Sequence, residues 1–376
     1  MSPARPAAPL GPVLPDYGER CLTNLVPGFL AGPGDRPAWL PEPVADAAQV
    51  VLLVLDGLGW GQLQDRAALA PTLSAMTGGP ITSVVPTTTA TALTSIVVGR
   101  PPADHGVVGY RMRVPGPSGD EVLNVLRWRT VSGDARQFFP PREAQTVAPF
   151  AGRDVAVVSR GAFAGSGFSS AHLGDTRLAA WAVPSSIAVE VRRLLAAGDP
   201  LIYVYYDGVD KIAHLTGLGE HYDAELGAAD ALVAELAALL PPGAALAVTA
   251  DHGQVEVGAR LIRLHEEVLA RTSLVSGEAR FRWLHAKPGE AGPLEESAGA
   301  HYGHAAWVVS LEQTVAEGWF GGPLSDTVRR RLGDVAIVAR DPVAYLEPEE
   351  SGDRLVCRHG SLTADEMFVP LLATSG

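Results

Sequence analysis

The feature that most constrains the fold of this chain is a recurring short run of apolar residues, often ended by an aspartate. Residues 48–55 (AQVVLLVL) form a Val/Leu run that stops at Asp56. Similar runs occupy residues 154–159, 201–206 and 244–249. Because polar residues do not alternate with the apolar ones, each run predicts a strand buried on both faces, as in a parallel sheet.

Helical patterns separate these predicted strands. Residues 186–197 and 222–240 carry apolar side chains at helical spacing. Alternating strands and helices are typical of an α/β fold with a doubly wound, mostly parallel sheet and helices on both faces. Later in the chain the pattern loosens into Gly-, Glu- and Pro-rich pieces. We therefore predict a smaller cap or insertion at residues 260–345 within a single domain of residues 1–376.

Charge and composition argue against several classes of protein. The 376 residues include 29 basic and 42 acidic ones, for a formal net charge of −13. A nucleic acid polymer is not expected as a partner, because phosphate binding favours a basic surface. The longest apolar run is far shorter than the roughly 20 residues that cross a bilayer, so no membrane partner is expected. Cys21 and Cys357 are too few for a disulfide framework, and we predict two free thiols.

The first residues have a proline at every third position. This spacing predicts an extended polyproline-II arm over residues 1–16, and it is incompatible with the apolar core of a secretory signal. We therefore expect a cytoplasmic protein. A second biased segment, the Gly/Ser-rich residues 161–170, is typical of a flexible connector, although it would also allow Phe163 and Phe168 to lie near a ligand.

Carboxylates and imidazoles collect where the predicted strands end. In doubly wound sheets, ligands bind beyond the carboxyl ends of the strands. Asp56, Asp207 and Asp251 stand at three such ends. Asp251 is followed by His252 and then a glycine, whose conformational freedom lets the chain turn so that two successive side chains converge. This pattern indicates a polar site at the carboxyl edge of the sheet.

Further metal-type ligands lie elsewhere in the chain. Asp210 and His214 are four residues apart, so on a helix they share one face, a spacing that suits a divalent cation. His359, followed by glycine, adds another imidazole. Aspartate and neutral imidazole are ordinary zinc ligands, although such pairs and single histidines also serve purely structural roles. His301 and His304, three residues apart, are a lesser candidate pair for a further metal.

Three consecutive threonines occupy residues 87–89 within the segment 83–99. A short β-branched strand is predicted before them and an apolar helix after them, so one threonine lies near a helix N-terminus. Free backbone N–H groups and the helix dipole favour an anion such as phosphate there. An N-cap role would explain one threonine but not three in a row.

Taken in chain order, these motifs resemble those of the type I phosphodiesterase/nucleotide pyrophosphatase family of the alkaline phosphatase superfamily. The resemblance extends from about residue 50 to residue 372. Its motifs are the strand-end Asp56, the Pro-Thr-Thr-Thr segment ending at Thr89, the Asp-His-Gly motif at 104–106, Asp210-x-x-x-His214, the second Asp-His-Gly motif at 251–253, and His359-Gly360. It implies an alkaline phosphatase-like fold and a metal-dependent hydrolase of phosphodiester or phosphoanhydride bonds.

The resemblance also implies two zinc sites, with manganese as the metal of related sites in the superfamily. The implied ligands are Asp210, His214 and His359 for the first site, and Asp56, Asp251, His252 and the Thr89 hydroxyl for the second. Thr89 aligns with the family nucleophile, and zinc would stabilise its alkoxide. The implied reaction is a double displacement, in which Thr89 attacks phosphorus, the first alcohol or phosphate leaves, and water hydrolyses the phosphothreonine.

Three positions bear on the substrate, which the resemblance predicts to be small, phosphorylated and nucleotide-like. Where the family has an asparagine after the first His-Gly motif, this chain has Tyr110. Its phenol either binds a phosphoryl oxygen or fills the pocket and leaves that role to the Ala90 N–H. Many nucleotide-cleaving members have an aromatic residue where Ala90 stands. Tyr205 occupies the position of a second aromatic residue of the family. It either binds the base of the substrate or packs within the sheet.

Two alternatives follow from these departures. A phosphomonoesterase or phosphonate hydrolase would use the same metals and Thr89. It would need extra positive charge, for which Lys211 and Arg111 are candidates, whereas a diesterase needs an apolar pocket for its second substituent. A binding protein that keeps the fold without the chemistry is the other alternative, and Tyr110 is the one feature that favours it.

Overall fold

The computed structural model describes residues 11–350 and 355–376 of the chain. Most of the predicted N-terminal arm therefore lies outside the described residues. Its described part, residues 11–16, contains no helix or strand. The Val13 backbone N–H donates a hydrogen bond to the Leu362 carbonyl at 2.9 Å, which fixes this segment against the C-terminal part of the chain.

The strands of the described residues are numbered in chain order. They are β1 (Gln49–Leu55), β2 (Thr77–Thr82), β3 (Arg111–Gly116), β4 (Gly119–Asn124), β5 (Arg129–Thr130), β6 (Gly133–Asp134), β7 (Ala156–Arg160), β8 (Arg177–Trp181), β9 (Leu201–Tyr206), β10 (Ala244–Thr249), β11 (Val255–Glu256), β12 (Leu261–Arg263), β13 (Thr272–Glu278), β14 (Phe281–Ala286), β15 (Ala306–Ser310), β16 (Val335–Ala339), β17 (Ala344–Leu346), β18 (Cys357–Arg358) and β19 (Phe368–Ser375).

The helices are numbered in the same way. They are α1 (Leu25–Leu30), α2 (Glu42–Ala45), α3 (Trp60–Asp65), α4 (Pro71–Ala75), α5 (Thr89–Val98), α6 (Pro102–His105), α7 (Pro141–Ala144), α8 (Gly167–His172), α9 (Ser185–Ala197), α10 (Gly208–Thr216), α11 (Glu220–Ala238), α12 (Glu266–Arg271), α13 (Ala291–Tyr302), α14 (Leu311–Ala316), α15 (Asp326–Arg331) and α16 (Ala364–Met367). No helix in the described part of the chain is both long and apolar enough to span a bilayer.

The central sheet has seven strands in the order β2-β19-β10-β1-β9-β7-β8. The five strands from β10 to β8 pair in parallel, and β19 pairs antiparallel with both β10 and β2. Strands β1, β9 and β10 are buried along almost their whole length, as expected for strands covered by helices on both faces. The predicted α/β fold with a mostly parallel sheet is confirmed.

The predicted element bounds differ from the observed ones mainly at the ends. The runs at 201–206 and 244–249 are β9 and β10, whereas β7 begins at Ala156 rather than at residue 154, and α11 spans Glu220–Ala238. The strand predicted before the threonines is wrong, because β2 ends at Thr82 and the next residues are irregular. Pro86 has no N–H to donate to a sheet ladder, which disfavours a strand there.

A second sheet lies within residues 272–339. Its four strands pair antiparallel in the order β13-β14-β16-β15. The sheet falls inside the range predicted as a cap, 260–345. The assignment of that range as a cap, and of the whole chain to one catalytic domain, stays a prediction. Cys21 and Cys357 are buried free thiols.

A buried ion pair joins the second sheet to the C-terminal segment of the central one. Arg280, in the turn between β13 and β14, donates from Nε and Nη2 to the two carboxylate oxygens of Glu366 at 2.7 and 2.8 Å. Both side chains are fully buried. Glu366 also accepts the Ser361 backbone N–H at 3.0 Å. The pair therefore anchors the second sheet to the segment that carries His359.

Candidate metal centre and adjacent pocket

The predicted ligands converge beyond the carboxyl ends of β1, β9 and β10. Asp56 directly follows β1, Asp251 lies two residues beyond β10, and Asp210 lies in the first turn of α10, which follows β9. The Asp210 backbone N–H donates to the Asp56 carbonyl at 2.9 Å. Gly57, with a φ of +76°, permits this approach, because a Cβ there would lie 2.8 Å from the Asp210 Cβ.

Two buried carboxylates and one imidazole form the first of two adjoining groups. The His252 Nε2 atom lies 3.5 Å from Asp56 Oδ1 and 3.4 Å from Asp251 Oδ2. Both carboxylate oxygens are buried and have no hydrogen-bond partner among the described residues. Asp251 is oriented through its other oxygen, which accepts the Gly57 and His252 backbone N–H groups at 3.0 Å each. Buried, unpaired carboxylate oxygens that face an imidazole nitrogen fit a divalent cation.

The electrostatics of this group also favour a cation. Burial, followed by the nearby charges of Asp251 and Asp210, raises the pKa of Asp56 well above its ordinary value. Burial likewise raises the pKa of Asp251, although His252 opposes that rise. Three carboxylates so close together repel one another when ionised. A divalent cation would stabilise the ionised forms and lower these pKa values.

The second group is built around Asp210. Its Oδ1 atom lies 3.2 Å from His214 Nε2 and 3.9 Å from His359 Nε2. The ligand atoms of Asp210, His252 and His359 all lie within 4.8 Å of one another. The rings of His252 and His359 stack with their centroids 3.5 Å apart. The two predicted ligand sets are therefore neighbours, and His252 lies at their boundary.

All three imidazoles present the same nitrogen to the site. Each Nδ1 lies within hydrogen-bond distance of a backbone carbonyl, which can only accept, so each Nδ1 carries the proton. The pairs are His214 with Cys357 at 2.7 Å, His252 with Gly253 at 3.0 Å, and His359 with Thr87 at 2.8 Å. The Nε2 lone pairs are thereby left for a metal, the usual arrangement of histidine ligands. Burial and the two neighbouring imidazoles lower the pKa of His359 well below its ordinary value, which keeps it neutral.

A glutamine that the sequence analysis missed contacts a predicted ligand. Gln254 Nε2 donates to Asp210 Oδ1 at 2.5 Å, and the Gln254 side chain is buried. The backbone carbonyl of Gln254 accepts a hydrogen bond from Gln62 Nε2 at 2.7 Å. The position of Gln254 directly after the Asp-His-Gly motif was the available signal, but a glutamine there has no distinctive pattern.

The three threonines have three different environments. Thr87 donates its hydroxyl proton to the Ser361 carbonyl at 2.7 Å, and Thr88 occupies the N-cap position of α5 without a side-chain capping bond. Thr89 is the first residue of α5, and its Oγ1 atom lies 3.2 Å from His252 Nε2. Bonding within α5 begins with the Ala92 N–H, which leaves the Ala90 N–H without a helical partner.

Tyr205 has a role that neither sequence interpretation included. Its hydroxyl donates a hydrogen bond to Asp56 Oδ2. Burial and the adjacent carboxylates raise the pKa of Tyr205 well above its ordinary value, so the phenol stays protonated. Its ring is also part of a pocket wall, 6.2 Å from the ring of Phe163.

Tyr110 lies in a different environment from the one considered for it. Its hydroxyl oxygen accepts from Asn124 Nδ2 at 2.6 Å, and its backbone N–H donates to Glu278 at 3.2 Å. It is not among the residues that line the pocket beside Thr89 in the described structure. A phosphoryl contact by Tyr110 therefore stays a prediction.

An apolar pocket of about 270 Å³ lies directly beside Thr89. Aromatic, aliphatic and hydroxyl side chains dominate its wall, and no Lys, Arg, Asp or Glu from the described part of the chain takes part. The lining residues are Thr89, Leu93, Leu126, Ser159, Ala162, Phe163, Ser166, Phe168, Ser169, His172, Leu173, Tyr203 and Tyr205. Burial lowers the pKa of His172 to about 4, so this imidazole is neutral at physiological pH. The Gly/Ser-rich segment is thus not only a connector, because it forms α8 and supplies one wall.

The lesser histidine pair is not brought together as a metal site. His301 instead lies beside His265, with ring centroids 3.9 Å apart, and its Nε2 is 3.1 Å from a Glu267 carboxylate oxygen. His265 Nδ1 accepts the Glu267 backbone N–H as the N-cap of α12. The N-cap and the His301–Glu267 contact hold these side chains together, with ligand atoms of His265, Glu267 and His301 within 4.8 Å of one another.

Comparisons with known proteins agree with this fold. A model of the family described as type I phosphodiesterase/nucleotide pyrophosphatase matches residues 50–362. The structure of murine ectonucleotide pyrophosphatase/phosphodiesterase 5, an inactive form in complex with AMP, is 17% identical, with 87% of this chain and 88% of that chain covered and a TM-score of 0.65. Phosphonoacetate hydrolase from Sinorhizobium meliloti, in complex with phosphonoformate, is 19% identical, with coverage of 88% and 90% and a TM-score of 0.62. No curated protein matches the sequence significantly.

Proposed function

This chain belongs to the type I phosphodiesterase/nucleotide pyrophosphatase family of the alkaline phosphatase superfamily and is a phosphoric ester hydrolase, and we propose that its substrate is a small, nucleotide-like phosphodiester or phosphoanhydride. We further propose that Thr89 is the nucleophile and that two divalent cations assist it, with zinc as the preferred metal and manganese as the alternative. A cytoplasmic location is part of the same proposal.

The observation that carries this proposal is the uncharged pocket beside Thr89. A phosphodiester has a second substituent, which an apolar pocket of this kind can accommodate. A phosphomonoester has instead a second negative charge, which calls for a cationic side chain. The two cations considered for that role lie elsewhere, because Arg111 pairs with Glu347 at 2.8 Å and Lys211 is exposed on α10. The pocket therefore favours the diesterase over the monoesterase.

The residues present fit a pair of divalent cations. Asp56, Asp251 and His252 would hold one, and Asp210, His214 and His359 would hold the other. Within the described residues, Asp56 Oδ1 and Asp251 Oδ2 are unpaired, whereas Asp210 Oδ1 accepts a hydrogen bond from Gln254, and the three histidines present their Nε2 atoms. Such ions, when bound, stabilise negative charge on the attacking and leaving oxygens of an in-line displacement. The choice of zinc follows from the mixed aspartate and imidazole donors.

The protein groups around Thr89 support its proposed role. In the first step the Thr89 hydroxyl loses its proton, the Oγ1–phosphorus bond forms and the bond to the leaving oxygen breaks, and that oxygen takes up a proton. In the second step water attacks phosphorus and loses a proton, and the Oγ1–phosphorus bond breaks, which regenerates the Thr89 hydroxyl. Thr89 is at the N-terminus of a ten-residue helix, and the free Ala90 N–H can donate to a phosphoryl oxygen. The neighbouring pocket would orient the substituent next to the reacting phosphorus.

The experiment that tests this proposal compares two chromogenic substrates. With zinc-loaded enzyme, kcat/KM should be higher for bis-p-nitrophenyl phosphate than for p-nitrophenyl phosphate, because only the diester has a second aryl group for the pocket. Dinucleotides and nucleotide sugars would form the next panel. A preference for the monoester would contradict the proposal and favour the phosphomonoesterase or phosphonate hydrolase alternative.

A further inference from the structure

We propose that Tyr205 is a positioning residue that orients Asp56 for metal binding through its hydroxyl, while its ring separately forms part of the substrate pocket. The inference rests on the proposed function in one respect, that Asp56 is a metal ligand. It assigns to Tyr205 a task distinct from base binding and from sheet packing.

The register of the sheet creates this contact. Strands β1 and β9 are parallel neighbours, with Val54 opposite Tyr205. Asp56 is the first residue after β1, so its side chain lies within reach of a long side chain on β9. The Tyr205 hydroxyl donates to Asp56 Oδ2. The other carboxylate oxygen, Oδ1, has no hydrogen-bond partner in residues 11–350 and 355–376 and lies 3.5 Å from His252 Nε2.

The two oxygens of Asp56 are therefore differentiated. The hydrogen bond from the phenol to Oδ2 fixes the rotation of the carboxylate, and Oδ1 is left to bind a cation. A hydrogen bond to the outer atom of a ligand is the usual means by which proteins orient metal-binding side chains. A phenol has a single proton, so the hydroxyl that binds Asp56 cannot donate to a substrate at the same time. Only the ring remains for the pocket.

Neighbouring tyrosines on the same strand provide an internal comparison. Tyr206 is buried to a similar extent, with 7% of its surface exposed against 8% for Tyr205. Its hydroxyl donates to Glu225 at 2.6 Å rather than to a predicted ligand. Tyr206→Phe is therefore a matched control for Tyr205→Phe. Both variants remove a phenol hydroxyl from a buried residue of β9, but Tyr206→Phe leaves the predicted metal ligands untouched.

The test is a zinc titration of metal-free protein in competition with a chromogenic chelator. Tyr205→Phe keeps the ring and removes the donor, so we expect one of the two zinc-binding steps to weaken about 10- to 100-fold. At saturating zinc, the KM for bis-p-nitrophenyl phosphate should rise less than in a variant that also removes the ring. Tyr206→Phe should leave both zinc steps and the KM unchanged.

A second variant separates the ring from the hydroxyl. Tyr205→Leu should weaken the same zinc step and also raise the KM, because the pocket wall is lost. Titration with Co²⁺, followed by its visible absorption, gives a second readout in which Tyr205→Phe should alter one of the two bound ions. Circular dichroism of the metal-free variants establishes that they fold.

Two results would overturn the inference. One is wild-type affinity in both zinc steps of Tyr205→Phe. The other is a raised KM in that variant with both zinc steps intact, which would make Tyr205 a substrate contact alone. If the wild-type chain itself binds no zinc, the proposed function fails and the inference fails with it, so the two failures are distinguishable.

Discussion

At the residue scale, two polar side chains, Tyr205 and Gln254, contact carboxylates of the candidate metal centre. Asp56, Asp210 and His252 stand in spaced motifs whose side chains the fold does bring together. Tyr205 and Gln254 contact two of these ligands, but both contacts cross between elements that are distant in sequence. The Tyr205 contact depends on the register of β1 and β9, and the Gln254 contact joins the loop after β10 to α10, so no local pattern contains either.

One residue outside the metal centre has a pronounced pH response. Glu278, the last residue of β13, lies against Gly360 and has a buried Oε1 atom without a hydrogen-bond partner in the part of the chain that the structure describes. Burial raises the pKa of Glu278 to about 8 from the ordinary 4.5. The folded state therefore holds more protons than the unfolded state between these two pH values. Its stability should fall as pH rises through that window.

Glu278→Gln removes this response. The amide stays uncharged, so the free energy of unfolding of the variant relative to wild type should increase from pH 5 to pH 9, by on the order of a few kcal/mol. Urea denaturation of both proteins at the two pH values measures the difference, and the metal ligands common to both cancel. Parallel pH dependences of the two proteins would show that the carboxyl is not held in its neutral form.

At the scale of elements, the strands of the parallel sheet core were predictable and the remaining strands were not. Strands β1, β9 and β10 are continuous apolar runs because helices cover both of their faces. The edge strand β8 is largely exposed, and β2 contains two glycines and a proline, so neither has a distinctive pattern. The pairing of the second sheet depends on long-range contacts that sequence periodicity does not specify.

The buried ion pair between Arg280 and Glu366 should be important for the attachment of the second sheet. Arg280→Met leaves the Glu366 carboxylate buried without its cation, so we expect a loss of about 3–5 kcal/mol in the free energy of unfolding. The double variant Arg280→Met/Glu366→Leu should lose less free energy of unfolding than the sum of the losses in the two single variants, because the uncompensated charge is removed. Urea denaturation of the single and double variants measures both effects.

An exposed pair provides the control. Arg329 contacts Glu312, and their side chains are 40% and 71% exposed. Arg329→Met should change the free energy of unfolding by less than about 1 kcal/mol, because solvent screens such pairs. Strict additivity of the Arg280 and Glu366 variants would mean that the buried pair does not act as a unit.

At the scale of the whole molecule, one edge of the central sheet gathers the chemistry. The predicted ligands come from segments between residues 56 and 359, and α5 presents Thr89 to the same point. The family could be recognised from motif order because most of the motifs lie directly after a strand or at one end of a helix. The pocket could not be predicted from the sequence. Its wall combines residues of α5 and β9 with the Gly/Ser-rich segment, which resembles a flexible connector but forms most of α8.

The central claim is that Thr89 acts as the nucleophile at a site that holds two metal ions. The most direct measurement is the zinc content and the turnover of bis-p-nitrophenyl phosphate for wild type, Thr89→Ala and the neighbouring control Thr88→Ala. We predict two zinc ions per chain in all three proteins, and turnover lost in Thr89→Ala alone. Near wild-type turnover by Thr89→Ala, or well under one zinc per wild-type chain, would contradict the account.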